Sequence, residues 1–173
     1  MTSLTDLHIH LRAYHTGMFY AWEQLFSEFD NVTISQGDIL TQKADAIVSA
    51  ANSFGYMDGG LDLVYSMHFG WDLEKSVRKV LLDEHDGELP VGRAIIVPTG
   101  RDDIPWLVSA PTMRVPSPIA DTVNVYLAFR AVLQTVRAHN RQYPDTPIRS
   151  ILCPALGTGE GRMPWDRAAW QMY

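Results

Sequence analysis

Cysteine is all but missing from this chain, with Cys153 the only one in 173 residues. A single thiol forms no internal disulfide, so the fold has to be held by apolar burial, and a reducing cytoplasm is the expected setting. Long apolar runs are also missing. No stretch approaches the roughly 20 residues of a membrane-spanning helix, and the opening "MTSLTDLHIH" has no basic segment ahead of an apolar one, so neither a membrane nor a secretory signal is expected. Blocks of like charge are absent and the net charge is −6, which argues against non-specific binding to a nucleic-acid backbone. An anionic ligand would have to be held by local backbone dipoles instead of a basic surface. Repeats, linkers and low-complexity segments are missing too. What remains is 46% hydrophobic and long enough to bury a core, which suggests one domain over residues 1–173.

The apolar pattern alternates between the two periods of regular structure. Residues 7–13 ("LHIHLRA") alternate as a strand, and 17–29 read as a helix with Phe19, Trp22, Leu25, Phe26 and Phe29 on one face. Strands are expected at 31–35, 45–51, 93–99, 105–111 and 148–154, the second of these continuous enough to be buried on both faces. Helices are expected at 61–70, at 72–85, from a cap at Asp121 to His139, and after Pro164, which suits a first helical turn. Strands alternating with helices predict a three-layer α/β/α sandwich around a mixed sheet.

Four stretches could carry chemistry. "DLHIHLR" (6–12) resembles the metal-binding motif on the first strand of amidohydrolase barrels, with His8 and His10 on one strand face. Such a barrel needs roughly 250 residues, and no later run supplies partner ligands, so the expected reading is two polar residues on an exposed face and no metal site. "GTGEG" (157–161) follows a strand and precedes a helix. Its glycines allow several N–H groups to converge on one concavity suited to a phosphate, although the spacing is neither a P-loop nor a dinucleotide fingerprint. In "QGDI" (36–39), Asp38 is either a turn residue or an acceptor for an exocyclic amine. In "AANSFGYMDGGLD" (50–62), Asn52 and Asp62 bracket Gly59 and Gly60. The structural alternative is a loop with a helix cap at Asp58 or Asp62. The functional one has backbone passing close to a ligand at the glycines, Asn52 orienting a hydroxyl or water, and Asp62 acting as base.

Taken in order, these segments resemble the macro domain, the ADP-ribose-binding family. "DAIVSAANSFGYMDGGLD" is similar to its signature Asp-Ala-Ile-Val-Asn-Ala-Ala-Asn followed by glycines and Val-Asp. "SILCPALGTGEGRMP" is similar to its strand and phosphate loop, and "GDI" to its adenine-site motif. The resemblance covers about residues 31–172. It implies that Asp38 and the Ile39 N–H meet adenine, that Gly59, Gly60 and Leu61 run along pyrophosphate and ribose, and that Thr158, Gly159, Glu160 and Gly161 cradle phosphate. Asn52 would contact the distal ribose, and Asp62 occupies the place of the catalytic Asp in the branch that removes ADP-ribose from carboxylate side chains. The implied activity is binding of ADP-ribose with metal-independent hydrolysis at its distal ribose, the partner being ADP-ribose or an ADP-ribosylated protein and no cofactor being called for. The alternative is a non-catalytic ADP-ribose reader.

This chain also departs from the family pattern. Ser49 stands where the first signature Asn is usual, Tyr56-Met57-Asp58 replaces part of the glycine run, and Gly161 replaces an aromatic that usually covers the distal ribose. The family's closing strand, aromatic turn and helix do not follow the phosphate-loop helix, yet residues 7–29 supply such elements at the start. The resemblance therefore implies a circular permutant. Strand 7–13 should lie between strands 31–35 and 148–153, with Phe19 or Tyr20 packing beside the adenine unless both are core.

Overall fold

A computed structural model describes residues 6–173. Six strands form one sheet: β1 (His8–Ala13), β2 (Val32–Gln36), β3 (Ala46–Asn52), β4 (Ile95–Pro98), β5 (Trp106–Met113) and β6 (Ser150–Cys153). Five helices cover it: α1 (Thr16–Phe26), α2 (Gly60–Phe69), α3 (Asp72–Glu84), α4 (Asn124–Gln142) and α5 (Trp165–Met172). The strand order is β2-β1-β6-β3-β5-β4, with every pairing parallel except β4 with β5. This is the mixed α/β sandwich that the alternating pattern predicts. β1 lies between β2 and β6, with Leu11 opposite Ile34 on one side and Cys153 on the other, the place that the permuted order requires.

The sheet buries apolar side chains on both faces. On one, Leu11 and Ala13 of β1 meet Met18, Trp22 and Phe26 of α1, together with α4 and α5; on the other, Ile47 and Leu107 meet Tyr65 of α2 and Leu73, Val77 and Leu81 of α3. α1 stops at Phe26, which leaves Phe29 44% exposed instead of on the buried stripe. Asp121 does not cap α4. The helix starts at Asn124, whose N–H donates to the Thr122 hydroxyl (3.2 Å) and whose side-chain amide donates to the Thr112 carbonyl (2.8 Å). Asp121 instead faces Arg167 from solvent (3.4 Å).

His8 and His10 do share one face of β1. Both are engaged by the neighbouring strand, His8 Nε2 with the Thr33 hydroxyl (2.9 Å) and His10 Nε2 with that of Ser35 (2.5 Å). Among the described residues no three His, Cys, Asp or Glu side chains gather to hold a metal, and no helix is long and apolar enough to cross a membrane. Burial pushes the Cys153 thiol far above its ordinary range, so it stays a thiol and packs as a small apolar group. Because five of the six strands run parallel, their carboxyl ends share one edge, and the loops that leave β2, β3, β5 and β6 converge there.

Candidate ligand cleft

A cleft of about 370 Å³ opens at that edge between the loop after β3 and the loop after β6, floored by Ala50, Ala51, Thr112 and Met113. The first wall begins at Asn52, the last residue of β3. Its Oδ1 accepts from the N–H groups of Phe54 (3.0 Å) and Tyr56 (3.4 Å), and its Nδ2 donates to the Tyr56 carbonyl (2.8 Å). An Asn that closes its own loop in this way is an Asx-type turn, and it leaves one Nδ2 hydrogen for anything in the cleft. The loop then lies down on α3. Gly55 has φ +70°, and a Cβ there would come within 2.8 Å of Val77 Cγ1. The Met57 N–H donates to Glu74 Oε2 (2.7 Å), and the Ser66 hydroxyl donates to the Met57 carbonyl (2.8 Å).

α2 starts with neither Asp58 nor Asp62 as its cap. The N-cap is Gly59, and Asp62 sits inside the first turn. A Cβ on Gly59 or Gly60 would meet nothing within 4 Å, so the backbone here faces open space. Asp62 is buried, 8% exposed, and lies on the cleft wall. The Ser49 hydroxyl donates to its Oδ1 at 2.6 Å. Burial pushes the Asp62 carboxyl up to about 6, against the pull of the Ser49 hydrogen bond and with a further push from Glu74. A carboxyl poised there exchanges a proton near neutral pH.

The opposite wall is held by glycine. Gly157 has φ +71°, and a Cβ would strike Val125 Cγ2 at 2.6 Å; one on Gly161 would strike the Gly157 carbonyl oxygen at 2.5 Å. The loop closes on itself through Met163 N–H to Gly157 O (2.9 Å) and Arg162 N–H to Gly159 O (3.0 Å), and Ile119 N–H ties Gly161 O to the β5–α4 connection (2.7 Å). The N–H groups of Gly157, Gly159, Glu160 and Gly161, all of which line the cleft, have no acceptor among the described residues. Successive free amides in a tight turn form an anion-binding concavity.

The cleft brings together Asn52, Gly59, Gly60, Leu61, Asp62, Gly159, Glu160 and Gly161. It does not gather the remaining candidates. Thr158 and the exposed Tyr20 line a neighbouring groove along α1 and α5, and Phe19 packs against the core of the α1 face. Ile39 is buried against α2 and α3. Asp38 caps the 3-10 turn Ile39–Thr41, its Oδ1 accepting from Leu40 N–H (2.9 Å), while the Ile39 N–H has no acceptor among the described residues. Arg12 props that turn from below, donating to the Asp38 carbonyl (3.3 Å) and the Ser35 hydroxyl (2.9 Å).

Sequence reasoning passed over several members of the site. Ser49 stood out only as a departure from the signature, and nothing in its spacing shows that it touches Asp62. Tyr56 stood out only as part of the segment that replaces the glycine run, and it lines the cleft beneath the Arg78 guanidinium. Thr112 carried no signal at all; its buried hydroxyl has no partner among the described residues. Arg12 could have been suspected from the alternation that puts it on the face of His8 and His10.

The comparisons agree with this geometry. The sequence model of the macro domain family matches residues 48–172. A macro domain-containing protein of Streptomyces coelicolor, SCO6450, is 32% identical over 139 residues, 80% of this chain and 78% of the relative. The DNA ADP-ribosyl glycohydrolase of Mycobacterium tuberculosis is 26% identical over 142 residues, covering 78% of this chain but 36% of that larger protein. Among solved structures, the macrodomain of Mycobacterium tuberculosis DarG superposes with a TM-score of 0.67 over 81% of this chain and 86% of that one at 22% identity, a likeness of fold. By sequence and by fold, the chain belongs to the macro domain family.

Proposed function

We propose that the cleft binds ADP-ribose and hydrolyses the bond joining its distal ribose to a conjugated group, as a mono-ADP-ribosyl hydrolase or ADP-ribose-conjugate deacylase. The observation that carries this is the pairing of a buried carboxyl, Asp62, held by Ser49 on one wall, with the free amides of Gly157, Gly159, Glu160 and Gly161 on the other. The pyrophosphate sits against those amides, whose fixed dipoles offset its charge without a basic surface. The adenine reaches the Asp38 turn, where a free Ile39 N–H and a carboxylate oxygen stand ready for its edge. Binding at that end holds the distal ribose beside Asp62, and orientation supplies much of the rate. A water gives its proton to Asp62 as its oxygen bonds to the electrophilic carbon of the linkage, and the departing oxygen takes that proton back. Every step uses groups of this chain, its ligand and water.

Family membership and the name of the M. tuberculosis relative support this reaction class. The substrate is an ADP-ribosylated carboxylate, an acetylated ADP-ribose or a related conjugate. Titration of ADP-ribose by calorimetry, followed by a release assay on mono-ADP-ribosylated protein, tests the reading: binding with release is expected. A second reading, a non-catalytic reader, is favoured by Asn52, which spends most of its side chain closing its own loop instead of facing a water. It predicts binding without release.

A further inference from the structure

We propose that Tyr56 is the residue that recognises the distal ribose, its ring forming an aromatic wall against the sugar and thereby favouring ADP-ribose over ADP. The proposal rests on the ADP-ribose reading above and assigns to Tyr56 a contact that the sequence did not suggest. Tyr56 lines the cleft together with Asn52 and Asp62, across from the glycine loop, and is 45% exposed. Its position is fixed to a degree that an ordinary surface tyrosine does not need. The Asn52 side chain grips both its carbonyl (2.8 Å) and its N–H (3.4 Å). The Arg78 guanidinium lies over its ring, 4.3 Å from the centroid, and donates to its hydroxyl at 3.3 Å. The next residue, Met57, is tied to both α3 and α2 through Glu74 and Ser66.

Holding one exposed ring through four separate hydrogen-bonding and cation–π contacts lowers the ordering cost that a ligand would otherwise have to meet on binding. Among the described residues that line the cleft, Tyr56 is the one aromatic side chain, and the glycine loop facing it carries none. Gly159 and Gly161 present backbone only, and Gly161 cannot be enlarged because of the 2.5 Å approach to the Gly157 oxygen. The apolar face of a sugar placed between the walls therefore has the Tyr56 ring as its aromatic partner. The same clamp explains why Asn52 spends its side chain within the loop: it positions Tyr56.

The test compares two probes, ADP-ribose and ADP, by calorimetry on the whole chain, with melting temperature as the check of folding. Tyr56→Ala is expected to weaken ADP-ribose roughly tenfold, as loss of a stacked aromatic does, and ADP by less than about twofold. Tyr56→Phe keeps both affinities, and Tyr56→Leu, which retains bulk but no aromatic face, loses the preference as Ala does. Arg78→Met releases the ring and gives an intermediate, ADP-ribose-selective loss. Equal weakening of both ligands in Tyr56→Ala and Tyr56→Leu, or no weakening of either, overturns the proposal while leaving the ADP-ribose reading in place. Failure of the unaltered protein to bind ADP-ribose overturns both.

Discussion

The two walls of the cleft are built on opposite principles. The loop after β3 is fixed by side chains: Asn52, Glu74, Ser66 and Arg78 each pin a backbone or ring atom of residues 54–57. The loop after β6 is fixed by the lack of them, its conformation depending on glycines at 157 and 161, where a Cβ has no room. The difference follows from what each wall presents. A wall that places a buried carboxyl and an aromatic ring needs side-chain scaffolding. A wall of bare N–H groups, which the proposed phosphate contact calls for, needs backbone that a ligand can approach closely. The acidic side chains of Asp58 and Glu160 fall at exposed positions on the two walls.

The comparison breaks most visibly at the glycine wall. Gly161→Ala puts a methyl group against the Gly157 carbonyl and Ile119. Overpacking of that kind costs about 1–3 kcal/mol, and the distorted amides are expected to lose ADP-ribose affinity at least tenfold in calorimetry. Gly159→Ala, where a Cβ meets nothing within 4 Å, should leave the melting temperature unchanged, so the pair separates damage to the loop from crowding of the ligand.

On the other wall the informative change is charge. Asp62 holds its proton in the folded protein to about pH 6, whereas an unfolded aspartate releases it near pH 4. Folding is therefore opposed by this group at neutral pH. The penalty is absent below about pH 4, grows as pH rises toward 6 and is complete above it, amounting to about 2–3 kcal/mol. Asp62→Asn, which keeps a polar partner for Ser49, is expected to raise stability by that order at pH 7.5 and by nothing at pH 4 in denaturant titrations. A subtler probe is Ser49→Ala. The Ser49 hydrogen bond holds the Asp62 pKa down, so its loss raises that pKa further. Turnover that requires ionised Asp62 should rise through about pH 6 in the unaltered protein, and this limb should move upward in Ser49→Ala, with ADP-ribose affinity kept within a few-fold.

Much of the sheet was legible because strand order follows from which elements the sequence supplies and from the family they resemble. The alternation of residues 7–13 gives a strand, and the resemblance, with its closing elements moved to the start of the chain, places that strand between β2 and β6, where it lies. Local capping was not legible. Asp121 looked like the cap of α4, but the start of that helix is set by Asn124 reaching the β5 carbonyl of Thr112, a contact between residues 12 apart that propensity does not encode. The site divides in the same way. Glycines and ligand-type residues at strand ends announce themselves locally, so the cleft walls were found. The Ser49–Asp62 pair depends on how α2 packs across β3, and the Tyr56–Arg78 clamp on how the loop lies on α3, so neither left a trace in spacing.

The most direct measurement is release of ADP-ribose by Asp62→Ala beside its affinity for ADP-ribose in calorimetry. The account predicts affinity within a few-fold of the unaltered protein and a loss of turnover of at least about a hundredfold, the share a positioned base contributes. Turnover that survives the substitution unchanged would contradict it.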